Sequence, residues 1–127
     1  MTKLALVLAL MLPMFAQEGH PLVGSWHGNW GVNAKDRNDV TLILNYDGKN
    51  ITGMINPGVD VAKIQKASLE PAGWMVHIEA DRKDKTGKLV HVVIDGKIED
   101  VTYIHRAIVG TWMEGSAKGD FKVTRDE

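Results

Sequence analysis

His77, Glu79 and His91 are the residues whose types and spacing could do chemistry. His77 and Glu79 sit two apart in the alternating run WMVHIEAD, which puts both side chains on one face of a strand. His91 falls in the next such run, within cross-strand reach. Two neutral imidazoles and a carboxylate form a donor set suited to zinc, so these three are the candidate metal ligands. The same face also carries Met75, Asp81 and Leu89, the mixture expected of an outer wall. His105 is the other late histidine, out of phase with Ile104, Ile108 and Trp112. Catalytic sets are missing: there is no cysteine, no Gly-x-Ser-x-Gly elbow and no phosphate-cradling glycine loop. Asp36, Asp39, Asp47, Asp60, Asp81, Asp84 and Asp95 are expected mostly in or beside turns, where solvation accounts for them. The sequence reads as non-enzymatic, with no cofactor.

The elements that must position these side chains are short strands. Strand-forming runs recur at Leu22–Trp30, Val40–Tyr46, Ile51–Ile55, Trp74–Asp81, Lys88–Ile98, Thr102–Met113 and Asp120–Arg125, punctuated by turn residues. Asp47-Gly48 between two such runs signals a hairpin. Lys63–Glu70 reads either as one or two helical turns or as the remaining strand. Eight short strands with short links favour sequential antiparallel neighbours. Such a series leaves two raw edges unless it closes on itself. The expectation is an all-β, eight-stranded, up-and-down barrel, with a sandwich as the alternative.

Two glycine–tryptophan stretches frame this series: LVGSWHGNWG at Leu22–Gly31 and IVGTWMEG at Ile108–Gly115. Gly24-Ser25-Trp26 near the start, with Thr124-Arg125 near the end, resembles the calycin barrels, which include lipocalins, fatty-acid-binding proteins and avidins. The resemblance implies that Trp26 plugs one barrel end, that Arg125 lies across its ring, and that Gly24 admits a close backbone. The order GSWHG, VTLIL, DGKNITG, a Pro-Gly loop, GTW and GDFKVTR is similar to a lipocalin-like domain of secreted bacterial proteins. Some of those domains stand alone and others precede hydrolase or peptidase domains. Fold carries over from such a likeness; activity does not.

The N-terminal MTKLALVLALMLPMFA has an early Lys3, an apolar run from Leu4 to Leu12 and a small residue at Ala16, the layout of a secretory signal peptide. Cleavage is expected after Ala16. That leaves residues 17–127 as one barrel domain, secreted or periplasmic, with no membrane span. No cysteine means no disulfide, so packing must supply the stability. With 44% hydrophobic and 24% charged residues and a net charge of −1, the chain can bury a core and lacks the positive field that nucleic acid requires.

Two functions follow as expectations. The first is a binding module holding a small, mostly apolar molecule inside the barrel. Its candidate lining is Trp30, Leu42, Leu44, Val76, Ile78, Val92 and Trp112, with Val40, Ile94, Ile104 and Ile108 as further inward positions. The second is a filled barrel whose surface binds another protein, an envelope component or a secreted hydrolase. Interior volume separates them.

Overall fold

A computed structural model describes residues 20–58, 61–102 and 104–126. The expected leader (1–16), its cleavage point and Asp60 lie outside the described residues. Eight strands follow one another: β1 (Gly24–Gly31), β2 (Arg37–Tyr46), β3 (Ile51–Ile55), β4 (Ala62–Glu70), β5 (Met75–Lys83), β6 (Leu89–Glu99), β7 (Ala107–Glu114) and β8 (Ala117–Arg125). Each pairs antiparallel with its neighbours in order, and β1 pairs with β8, so the sheet closes into an up-and-down barrel. No helix occurs among the described residues.

Turn chemistry fixes the register. At the β2–β3 hairpin, Gly48 takes φ 95°, and the Asp47 carboxylate accepts the backbone N–H groups of Lys49 (2.9 Å) and Asn50 (2.6 Å). Asp84 does the same between β5 and β6, accepting from Thr86 and Lys88. Lys63–Glu70, ambiguous between helix and strand, belongs to β4, with a bulge between Ile64 and Lys66. Period-two pairing with β5 and β3 wins over its helix formers, as tertiary context commonly does.

One strand expectation is corrected. The run from Thr102 does not join β7, which begins at Ala107. The segment from Asp100, at φ 55°, crosses the barrel end instead, and Ile104 there is 53% exposed. Ile104 is therefore not an inward residue.

Trp26, Leu42, Ile78, Ile94 and Val123 are completely buried, and Leu44, Val92, Ile108 and Trp112 nearly so. Trp30 stacks on Trp112 at 5.6 Å, and Phe121 meets Trp112 edge-on at 5.8 Å. Such offset and edge contacts add to what burial alone supplies. These side chains form one cluster running the length of the barrel. Its central members, Trp26, Leu42, Ile78, Ile94 and Val123, expose no surface, as close packing requires.

Candidate functional site

β5 and β6 bring His77, Glu79 and His91 together on the outer wall, as alternation expects, and add Asp81 and Asp95. The result is a ladder. His77 Nδ1 meets Asp95 Oδ1 at 2.5 Å and its Nε2 meets Glu79 Oε2 at 2.8 Å. His91 Nε2 lies 3.3 Å from Glu79 Oε1, and its Nδ1 lies 2.7 Å from Asp81 Oδ1. Every ring nitrogen faces a carboxylate, so protonated rings donate at both ends. Among the described residues, no three histidine or carboxylate side chains converge as a metal requires. The candidate ligands are neighbours in a line, not a tetrahedral cradle.

The hydrogen bond that His77 donates to Asp95, reinforced by the one to Glu79, raises the pKa of His77, and the bond to Asp81 raises that of His91. The bond from His77 chiefly holds the Glu79 carboxyl below its usual value. At the barrel end burial acts alone and lowers the pKa of His20. In an NMR titration, His77 and His91 should therefore show midpoints above the ordinary value of about 6.5, and His20 below it. The linkage has a definite sign. The ladder's contribution is complete below the unfolded-state pKa and fades as pH rises through the raised folded-state values. His77→Ala/His91→Ala should thus lose less stability relative to the parent at pH 8 than at pH 6. Equal losses at both pH values would contradict the ladder.

One end of the barrel is closed by the chain's own entry. Leu22 is fully buried, and its carbonyl accepts the Trp26 Nε1–H at 2.9 Å. Arg125 pairs with Trp26 across the β1–β8 seam. Its guanidinium donates to the Ile104 carbonyl at 3.2 Å and reaches the Val23 carbonyl at 3.5 Å. Arg106, which no sequence pattern singled out, donates to the Pro21 carbonyl at 3.2 Å. Burial and the charge of Arg125 lower its pKa. Two guanidiniums thus pin residues 21–23 across the end, matching planar donors to backbone carbonyls.

The glycine expectation needs correcting here. A Cβ at Gly24 would meet side-chain carbons of Arg125 at 3.2 and 3.3 Å, whereas one at Gly28 would fall 1.9 Å from the backbone oxygen of Lys122. Gly24, at φ 136°, accommodates the arginine stem. Gly28 admits the close backbone.

The expected ligand lining is nearly all spent on packing. Leu42, Leu44, Val76, Ile78, Val92 and Trp112 are each at most 2% exposed and touch one another rather than a hollow. Trp30, at 6%, borders a recess of about 340 Å³ at the end opposite the plug, shared with Asn56, Arg82, Asp84, Lys85 and Glu114. Arg82 and Glu114 form an ion pair at 2.8 Å there. A second recess, of about 460 Å³, opens beside the plugged end between Tyr46, Ile51, Ala67, Leu69 and Trp74. His20 stacks on Tyr46 at 4.2 Å on its rim. Alternation could not announce either recess, because both lie where strands end or part.

Fold and site together define a class: an all-β, eight-stranded antiparallel barrel with a packed core. No protein-family model matches the chain, and comparison with the curated proteins and with the solved structures found no match.

Proposed function

We propose that this chain is a secreted, non-enzymatic interaction module: a calycin-like barrel that is filled and binds another protein through its outside. The observation that carries the reading is the packed interior. The central inward side chains of β2, β5, β6 and β7, from Val40, Leu42 and Leu44 through Val76, Ile78, Val92 and Ile94 to Ile108 and Trp112, are at most 2% exposed, so the space a calycin would give to a ligand is occupied by Trp26, Trp112 and their aliphatic neighbours. Apolar side chains on the outer surface, such as Leu89 at 61% exposure and Met113 at 42%, give a partner something to cover. The leader-like N-terminus supports export.

Photo-crosslinking tests this. A photoreactive residue at Leu89 or Met113, in protein returned to its native extract, should give discrete protein adducts. In parallel, tryptophan fluorescence should stay flat on titration with fatty acids, haem and biotin. No protein adduct, or a saturable response to an apolar small molecule, overturns the reading.

A second reading keeps the small-molecule role and moves it to the end opposite the plug. Trp30 supports it, as an indole facing the recess of about 340 Å³, inside the size range of ligand pockets. A saturable quench lost in Trp30→Leu would favour it.

A further inference from the structure

Barrel closure ordinarily removes every strand edge. Here the wall parts between β3 and β4, where both strands run on unpaired with each other. β3 and β4 pair only at Met54–Lys63 and Ile55–Ala62, while β4 runs on to Glu70 against β5 and β3 runs back to Ile51 against β2. Ile51, Thr52 and Gly53 have no partner on β4, and Lys66–Glu70 have none on β3. In a strand, alternate residues turn their N–H and C=O groups to opposite sides. Two backbone edges therefore face each other across an opening.

Burial agrees. The central inward residues of the continuous wall, such as Leu42, Ile78, Ile94 and Val123, are sealed, whereas Ile51, Ile64, Ala67, Leu69 and Trp74, grouped about the opening, are only partly buried against the core. The recess of about 460 Å³ lies in this opening, its walls apolar from Ile51, Ala67, Leu69 and Trp74, with Asn50 and Ser68 beside them. Lys49 is the one lysine on its lining, and the neighbouring Asp47 carboxylate interacts with its charge, while Asp47's own hydrogen bonds go to the backbone N–H groups of Lys49 and Asn50.

We infer that the β3–β4 opening is a docking groove for an extended polypeptide segment that adds a strand to the edge of β4. The chemistry selects this occupant: unpaired main-chain groups recognise a backbone, and the apolar recess receives side chains at alternate positions. Lys49, the one lysine on the lining, favours a segment carrying a carboxylate near one end. This rests on the protein-interaction role proposed above and names the partner chemistry of one surface.

Fluorescence anisotropy with fluorescein-labelled Thr-Val-Thr-Leu-Thr-Val-Asp tests it on the unaltered protein. Saturable binding is expected. It should weaken by about ten-fold or more when every second peptide amide is N-methylated, because methylation removes donors and leaves the side chains in place. Lys49→Glu should weaken the parent peptide several-fold. It should leave a peptide ending in Asn-amide unchanged. No saturable binding overturns the groove. Equal affinity for methylated and unmethylated peptides also overturns it, since that marks an apolar site indifferent to backbone. Because the methylation comparison needs no variant, a folding defect in Lys49→Glu does not rescue the idea. Protein adducts at Leu89 or Met113 without peptide binding would sink the groove alone; absence of both would sink the interaction role with it.

Discussion

Trp26→Ala should lose about 3–5 kcal/mol of unfolding free energy, the usual range for truncating a buried tryptophan. Small domains are stable by only about 5–15 kcal/mol, so much of this protein's stability would go. Two losses combine. The indole is completely buried at the barrel end, and its removal leaves a hole that the closed sheet cannot collapse to fill. The Nε1–H that satisfies the Leu22 carbonyl at 2.9 Å also disappears, which frees residues 21–23 from the end they cover. Trp26→Phe separates the two. It keeps most of the apolar contact and removes the donor, so its cost should be nearer the 1–3 kcal/mol of one unsatisfied buried carbonyl. Urea denaturation read by circular dichroism gives both numbers, with a common m-value as the check that unfolding stays two-state. A loss under about 1 kcal/mol for the alanine variant would remove Trp26 from its place in the packing.

The residues that spoke clearly in the sequence were those whose signal is periodic. Trp74–Asp81 and Lys88–Ile98 alternate, and β5 and β6 follow them almost residue for residue. His77, Glu79 and His91 were therefore placed on one outer face correctly. Alternation, however, reports which way a side chain points and nothing about what meets it. The sequence could not say that Asp81 and Asp95 would occupy the far ring nitrogens and turn a donor set into a ladder. For the same reason Leu42, Val76 and Val92 read equally well as pocket lining or as core. Only the summed volume of Trp26, Trp30, Trp112 and Phe121 decides, and volume is a property of the closed barrel.

Ends and seams were the least legible. β7 starts at Ala107 rather than near Thr102 because the preceding segment is drawn across the plug, where Arg125 takes the Ile104 carbonyl and donates its own N–H to Arg106. Those contacts join residues some twenty positions apart, beyond any local pattern. The parted β3–β4 wall is likewise invisible in Ile51–Ile55, a well-formed short strand of which only Met54 and Ile55 pair with β4.

Gly28→Ala tests the seam on which the closed topology depends. β1 and β8 pair from Trp26–Arg125 to Gly31–Asp120, and without them the sheet is open. An added Cβ at Gly28 would meet the Lys122 oxygen at 1.9 Å, the Lys122 carbonyl carbon at 2.8 Å and the Val123 Cα at 2.8 Å. All three are backbone atoms, so no rotamer change relieves the contact; β8 itself must move. Ordinary overpacking costs about 1–3 kcal/mol, and this substitution should exceed that range because the strand cannot shift without losing hydrogen bonds to β1 or β7. Gly73→Ala is the matched control. Its Cβ would sit 3.4 Å from the flexible Met75 side chain, and its cost should stay within about 0.5 kcal/mol. Hydrogen exchange locates the damage: the amides of Phe121, Val123 and Thr124 should lose protection in Gly28→Ala, while those of β5 and β6 keep most of theirs. Melting and exchange indistinguishable from the parent would mean that β1 and β8 do not approach this closely, and the barrel would have to close, if at all, through some other pair of strands.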